Sequence, residues 1–521
     1  MFKLTDSFKK IILSAYITSF GLRTNTFRSL QAQKMEPEEN IKPHAIMIPA
    51  PLQGHIVPFT HLAINLASKG LTITFVNTQS THQRLMKAQS LSGSFLDYDI
   101  FSEARKFGLD IRYTTICDGF PLNFDRAGNH NQFMEGLLHV FSAHVDDLVG
   151  NLVNSNHNPT VSCLIADSFY VWPSEIAKKY NLVNISFWTE PALAFTSYYH
   201  MDLLKRNGHF GSQDNREDTI RYIPGVQAIE PGDLPSYIQD PEPWSIMHHY
   251  IFNSLEDAKK ADMIICNTVQ ELESSTISAL QEKKPFYAVG PILPNGFTKS
   301  VIPTNLWVES DCIQWLNAKP KGSVMYISFG SLANISRQDV LEIAHGLLLS
   351  RVSFIWVVRP DITWSKETDI FPSRFEDDVK DRGLVVPWCS QIDVISHPAI
   401  GGFLTHCGWN SVLESIWCKV PMLCFPIFTD QFTNRKLVVS EWKVGFDLCS
   451  GRILRRQEIA QKIDCFTSEA NKLRINLEKT RRKLEDALSE NGSSGRNYKQ
   501  LICDLKSKIL QKSKINNTSL L

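Results

Sequence analysis

The segment "THCGWNS" (405–411) joins an apolar run, "GGFLTH" (401–406), to a helical pattern. It carries a His, a Trp, an Asn and a Ser where a plain strand-to-helix turn would need only small turn formers. Gly408 would let a ligand approach the backbone. Asn410 and Ser411 would set side-chain donors beside the free N–H groups of the first helical turn, and His406 can donate from the strand end. That set suits a diphosphate, because unpaired N–H groups and the helix dipole both favour negative charge. The plainer alternative is that Asn410 or Ser411 only caps the helix. A second chemical candidate lies early in the chain. In "PLQGHIVP" (51–58), His55 follows an apolar run and precedes a helix. An imidazole with an unperturbed pKa near ~6.5 can take a proton from a hydroxyl at neutral pH. "LIADSFYVW" (164–172) sets Asp167 at the end of another apolar run. Neither residue is diagnostic alone: a lone His is more often structural, and Asp167 could cap the helix that follows.

These residues need strands that end, and helices that begin, along one edge of a sheet. "HAIMIPA" (44–50) reads as a strand, 56–69 as an amphipathic helix ended by Gly70, and "LTITFVNT" (71–78) as a second strand. Phe59, Leu62, Ala63, Leu66 and Ala67 recur at helical spacing, and Pro58 is expected in the first turn, where a missing N–H is tolerated. This is a βαβ unit, which implies a parallel sheet. "VSCLIAD" (161–167) and "MIICNT" (263–268) read as further buried strands, and the Pro- and Gly-rich stretch 287–305 as an interdomain linker. Beyond it the pattern restarts. "SVMYISFGS" (323–331), "FIWVV" (354–358), "GLVVP" (383–387), "GGFLTH" (401–406) and "PMLCFP" (421–426) read as strands, and Ser336 as the cap of a helix over 337–350. The expected fold class is α/β, with two Rossmann-like doubly wound domains facing across a cleft and ligands at the carboxyl ends of the strands. The boundaries drawn are an N-terminal extension (1–40), a first domain (41–290), a linker (291–308), a second domain (309–485) and a C-terminal segment (486–521). That last segment is expected to be a helix packing back on the first domain.

Lys+Arg and Asp+Glu both number 54 in 521 residues, which leaves no electrostatic footprint for nucleic acid. The 11 Cys are scattered and never form a CxxC pair, the usage of reduced thiols and not of a disulfide framework or a zinc site. No run approaches ~20 apolar residues, so no transmembrane segment is expected, and the polar, basic "LKSKILQKSKINNTSLL" argues against a tail anchor. Residues 1–34 set Lys3, Lys9, Lys10, Arg23, Arg28 and Lys34 against the single acid Asp6, the composition of an organelle transit peptide. The alternative, adopted here, is that translation normally starts at Met35, and the expected location is then cytoplasmic. GxGxxG, GxxxxGK[ST], GxSxG and HExxH are all absent.

The 44 residues from Trp388 to Gln431, "WCSQIDVISHPAIGGFLTHCGWNSVLESIWCKVPMLCFPIFTDQ", resemble the signature box of the plant UDP-dependent glycosyltransferases. "SDCIQWLNAKPKGSVMYISFGS" (310–331), "SFIWVVRP" (353–360), "SFWTEPA" (186–192) and "ENGSSGRN" (490–497) are similar to recurrent segments of that family. The resemblance implies a GT-B type fold and a transferase whose co-substrate is a UDP-sugar, with no cofactor and no metal. It implies that Trp388 stacks on uracil, that the main chain of Cys389 meets the uracil edge, and that Gln391 and Glu414 hold the ribose. Ser331, His406, Gly408, Asn410 and Ser411 would bind the diphosphate. Trp409, Asp430 and Gln431 would hydrogen-bond the sugar, with Thr189 reaching across from the first domain; His397 reads as structural. His55 takes the position of the family's catalytic base, and Asp167 that of the carboxylate that orients it.

The reaction so implied is an inverting transfer. His55 deprotonates an acceptor hydroxyl, the oxygen attacks the anomeric carbon of an α-linked UDP-sugar, and a β-glycoside and UDP result. Gln431 accompanies glucose in the family, so UDP-glucose is the expected donor. The expected acceptor is a small apolar aglycone (phenol, terpenoid or hormone-like) held by 118–140 and 186–205, and the expected state is a monomer. The alternative reading is a protein of this fold that binds UDP-sugar without turnover. Against it stands the joint presence of His55, Asp167 and the box. Two positions leave the family pattern: Ser390, where Pro is usual, and Lys419, where Gly is usual. The first implies a freer uracil loop. The second implies a solvated turn where a helical Lys costs less than Gly.

Overall fold

The apolar run His44–Ile48 is buried along its whole length, as a strand covered on both faces must be. In the computed structural model it forms β1, near the middle of a seven-stranded sheet in the order β3-β2-β1-β4-β5-β6-β7. The other strands are β2 (Thr72–Thr78), β3 (Ile111–Ile116), β4 (Cys163–Asp167), β5 (Val183–Trp188), β6 (Met263–Cys266) and β7 (Phe286–Ala288). A second sheet, ordered β10-β9-β8-β11-β12-β13, comprises β8 (Val324–Ser328), β9 (Ser353–Val357), β10 (Gly383–Val386), β11 (Ile400–Thr405), β12 (Met422–Cys424) and β13 (Gly445–Asp447). Every pairing in both sheets is parallel. The structure describes residues 41–89, 98–155, 158–211, 218–293, 304–363, 370–449 and 453–519, with 216, 302 and 451. The expected N-terminal extension, and 294–301 and 303 of the expected linker, lie outside the described residues.

Strand order reverses beside β1 in the first sheet and beside β8 in the second, so each sheet has a crevice at its carboxyl edge. Helices start there. α1 (Gln53–Ser68) follows β1, α2 (Gln79–Ala88) follows β2, and α3 (Arg337–Ser350) lies between β8 and β9. Ser336 caps α3 as the sequence predicts, accepting from Asp339 N at 3.0 Å. α4 (Gln391–Ile395) follows β10, α5 (Trp409–Cys418) follows β11, and α6 (Gln431–Lys436) follows β12. The long α7 (Arg456–Leu488) packs on the second domain, where Ile459, Ile463 and Phe466 join its core. The last helix, α8 (Ser493–Ser519), crosses back to the first domain. Tyr498, Leu501 and Leu505 enter that core, and Tyr498 Oη accepts from Asn65 Nδ2 at 3.2 Å. Among the described residues no helix is long and apolar enough to cross a membrane.

Two local expectations need correction. α1 begins at Gln53, three residues earlier than the apolar periodicity suggests, so Pro58 lies inside the helix and not in its first turn. Having no N–H, it leaves the carbonyl of Gly54, four residues back, without its helical donor. Lys419 is not helical. It ends α5 in the left-handed region (φ +58°), a conformation that favours Gly and costs a side chain energy. Its ammonium is solvated, as expected, and meets Glu478 at 3.2 Å.

Candidate active site

The turn after β1 and the first turn of α1 bring His55 to the carboxyl edge of the first sheet, and β4 ends there on Asp167. His55 Nδ1 donates to Asp167 Oδ2 at 2.8 Å and stands 3.3 Å from Thr189 Oγ1. The carboxylate is itself fixed: Ala50 N donates to Oδ2 at 3.1 Å and Phe169 N to Oδ1 at 3.0 Å. The helix after β4 starts only at Pro173 and has no side-chain cap, which disposes of the capping alternative for Asp167. Phe169 meets the imidazole edge-on at 4.9 Å between centroids. With Nδ1–H held by a carboxylate, Nε2 is the basic atom, and His55 lines the interdomain cavity.

In the second domain β11 delivers His406, Cys407 turns the chain with φ +65°, and Gly408 stands as N-cap of α5 with no side-chain cap. The capping alternative for Asn410 and Ser411 therefore fails. The reason for Gly408 also differs from the sequence expectation. A Cβ on it would lie 2.5 Å from His406 Nε2, and one on Gly330 2.4 Å from the same atom. Both glycines make room for the imidazole. Burial, reinforced by the nearby Arg359 charge, lowers the His406 pKa to about 4. His406 is thus a neutral hydrogen-bond donor at pH 7 and brings no charge to a diphosphate. Asn410 turns away from its own helix: its Nδ2 donates to Gly54 O at 2.9 Å, across the domain boundary. The carbonyl that Pro58 deprives of a donor is supplied by the other domain.

Gln391 and Glu414, expected together on the ribose, are together. Gln391 Nε2 donates to Glu414 Oε2 at 2.7 Å and to Ser411 Oγ at 2.9 Å. Loss of solvent pushes the Glu414 pKa up to about 7, opposed in part by the Gln391 bond. Trp388 lines the cavity and stacks on Trp307 at 6.3 Å, so one indole face rests on the segment entering the second domain. Cys389 is buried, and its preceding carbonyl accepts from Ser310 N at 2.9 Å. The Trp409 indole N–H is committed to Asn267 O at 2.6 Å, so this residue can offer the cleft only its main chain. Asp430 is buried, with burial raising its pKa against hydrogen bonds from Thr429 and Asn434. Gln431 Oε1 accepts from Ile427 N at 2.8 Å and Phe428 N at 3.2 Å, which leaves its amide N–H groups as donors.

His55, Thr189, Trp388, Gln391, His406, Gly408, Trp409, Asn410, Ser411, Glu414, Asp430 and Gln431 line one cavity of about 840 Å³ between the two sheets, as does Ser331 in the loop after β8, whereas Asp167 and Cys389 do not. From 118–140 it is walled by Leu122, Phe124, Phe133, Met134 and Leu137, as expected, and also by Asp118, Asp125, Arg126 and His130. From 186–205 only Thr189 and Glu190 reach it; Phe195 and Tyr198 are core. The remaining wall, with Tyr237, Met247, Tyr250 and Ile251, was not foreseen. Nor was the latch beneath it. Ser236 N donates to Thr429 O at 3.0 Å, Thr429 N to Ser236 Oγ at 2.8 Å, and Arg435 to Asp233 at 2.6 Å, so 233–236 grips the loop that carries Asp430 and Gln431. Arg359, 1% exposed, holds the Ser331 loop through the carbonyls of Gly330 and Ala333. An Arg set directly after an apolar strand was the available sign. Among the described residues no group of three or more His, Cys, Asp or Glu could hold a metal ion.

Comparison with known proteins identifies the family and the fold. Residues 274–450 match the family model described as UDP-glucoronosyl and UDP-glucosyl transferase. The chain is 54% identical to UDP-glycosyltransferase 86A1 of Arabidopsis thaliana, over 91% of this chain and 97% of that one. It is 35% identical to 7-deoxyloganetin glucosyltransferase of Gardenia jasminoides, over 90% and 98%. Among solved structures, a UDP-glucose: anthocyanidin 3-O-glucosyltransferase in complex with UDP superposes with a TM-score of 0.75 at 25% identity, covering 90% of this chain and 99% of that one. The two parallel sheets are the two Rossmann-like halves of a GT-B enzyme, and the chain belongs to the plant UDP-glycosyltransferases, which move a sugar from a UDP-sugar to an acceptor.

Proposed function

We propose that the enzyme transfers glucose from UDP-glucose to a hydroxyl of a small apolar acceptor, with inversion, giving a β-glycoside. The observation that carries this reading is His55, held by Asp167 at 2.8 Å and lining the same cavity as the uncapped start of α5. His55 Nε2 takes the acceptor proton as the oxygen attacks the anomeric carbon, and Asp167 stabilises the imidazolium. The departing diphosphate meets the first-turn N–H groups of α5, Ser331, Ser411 and the neutral N–H of His406. Trp388 offers its cavity-side face to uracil, while Gln391 and Glu414 exchange their mutual bond for bonds to ribose hydroxyls. Asp430, the Gln431 amide, Thr189 and the Trp409 main chain are the sugar contacts.

Glucose is supported by Gln431 and by the two glucosyltransferases among the similar proteins. The apolar wall from Leu122 to Leu137 suits a flat aglycone of the phenol, terpenoid or hormone-like class. We further propose a cytoplasmic monomer divided as the sequence was divided. The test is to incubate the protein with UDP-glucose, UDP-galactose, UDP-xylose or UDP-glucuronate and a panel of phenols and terpenols. Products are identified by mass spectrometry and their anomeric configuration by NMR. A β-glucoside is expected; an α-glycoside overturns the inverting mechanism, and a clear preference for another donor overturns glucose.

A further inference from the structure

Glu190 follows Thr189 at the end of β5, and no step above uses it. It is 8% exposed and lines the cavity. No hydrogen bond joins its carboxyl to another described residue. Glu273, a comparably buried neighbour, shows what a structural carboxylate looks like here. It accepts from Ala192 N at 3.0 Å, Leu193 N at 2.8 Å and Thr268 Oγ1, and so caps the helix that begins right after Glu190. That duty is filled. The main chain at 190 is also pinned, by the Cys266 thiol on Glu190 O at 3.4 Å and the Trp188 indole on Pro191 O at 3.0 Å. A rigid backbone therefore presents to the cavity a side chain that nothing in the fold needs.

We propose that Glu190 recognises a hydroxyl group of the bound substrates in the transfer site. Burial, with the charges of Asp430 and Asp167 nearby, raises its pKa well above the usual carboxylate range. A neutral carboxyl holds both a donor O–H and an acceptor carbonyl, the complement of a hydroxyl, which also donates and accepts. Left unmade, that pair of bonds is costly in a buried site, and a site built to bond a hydroxyl rejects ligands that lack one. Asp430, in the loop expected to hold the sugar, and His55, at the acceptor oxygen, flank the position through Thr189. The hydroxyl belongs to the sugar or to the acceptor. This inference rests on the transfer reading given above.

The test compares Glu190→Leu and Glu190→Gln with the natural chain. UDP and UDP-glucose binding are measured by calorimetry, and kcat/KM with the best acceptor of the panel. If the hydroxyl is on the sugar, Glu190→Leu weakens UDP-glucose about 10- to 100-fold while UDP binds unchanged. If it is on the acceptor, UDP-glucose affinity holds and kcat/KM for the acceptor falls by the same factor. In both cases Glu190→Gln, which keeps a donor and an acceptor, stays within about fivefold, and the Tm of Glu190→Leu is not lowered. Glu190→Ala serves if the leucine variant does not fold. An apolar variant within twofold of the natural chain in both measurements overturns the proposal, as does equal damage by Gln and Leu with lowered Tm. A natural chain that binds UDP-glucose but transfers it to nothing overturns the transfer reading instead. Glu190 is then judged by calorimetry alone, where unchanged affinity refutes it.

Discussion

His55 and His406 are both buried imidazoles at strand ends, and their surroundings give them opposite duties. His55 has a carboxylate on Nδ1, which fixes its tautomer and leaves Nε2 as the open nitrogen. His406 is kept neutral by burial and by the nearby Arg359 guanidinium. His55→Ala should lower kcat about 10²- to 10⁴-fold, the usual worth of a general base, and leave the Kd for UDP unchanged because the donor site is in the other domain. Retained turnover on a hydroxyl acceptor would remove the base from His55. The low pKa of His406 has a second consequence, shared with His61, which burial also lowers to about 4. Both rings stay neutral in the fold, while the unfolded chain protonates them below pH ~6.5. Their share of stability is complete above pH ~6.5 and is lost as pH falls toward 4, by roughly 2 kcal/mol per ring at pH 5. Urea unfolding at pH 7, 6 and 5, compared between the natural chain and His61→Phe, isolates the His61 share from the opposite trend of Glu414, whose pKa burial raises to about 7. An identical pH dependence in the two chains would mean that the His61 ring is solvated.

At the scale of elements, the two departures from the family pattern make opposite predictions. Lys419 holds φ +58° at the end of α5, so Lys419→Gly should relieve about 1 kcal/mol of left-handed strain. The surface ion pair with Glu478 that it forfeits is worth about 0–1 kcal/mol. The expected outcome is a small rise in Tm, and a clear fall would show that the ion pair outweighs the strain. Ser390 already has φ −67°, which a proline ring requires, and its side chain caps nothing in α4. Ser390→Pro should stiffen the loop after Trp388 and lower KM for UDP-glucose about two- to fivefold, the worth of roughly 0.4–1 kcal/mol, with kcat unchanged. A raised KM would give Ser390 a contact of its own. Elements of this kind were largely legible. Every strand read from the sequence exists within two or three residues, because continuous apolar runs between Gly, Pro and Asn leave few other readings. β3, β5, β7 and β13 escaped: β7 and β13 are three residues long, β3 is only partly buried, and in the fully buried β5 Asn184 and Ser186 break the apolar run. Apart from His55–Asp167 and Gln391–Glu414, which the family resemblance set together, the site residues were legible as types but not as partners. No periodicity links Gln391 to Glu414, Asn410 to Gly54 or Ser236 to Thr429, since those bonds exist only after the sheets and domains are assembled. Gly408 was misread for the same reason, its real neighbour being an imidazole two residues back.

Across the whole molecule, the domains meet at the residues that would react. Asn410, at the start of the helix that faces the diphosphate, bonds the carbonyl of Gly54, the residue just before His55. That carbonyl is vacant because Pro58 interrupts α1. Pro58→Ala restores a helical donor to Gly54 O and should raise Tm, while the competition for that carbonyl loosens Asn410 and lowers kcat severalfold. A variant of higher Tm with undiminished kcat would show that the interdomain bond does not matter to turnover. The same feature bears on water. On the function proposed, the second domain would hold UDP-sugar while the base, His55, lies on the first, so a donor bound with the domains apart would lack the imidazole that could activate a stray water molecule. His55 and the wall of the acceptor pocket belong to the same domain and would meet the donor together, across the contact between Asn410 and Gly54. A proline in the first helix would thus guard the activated sugar against futile hydrolysis.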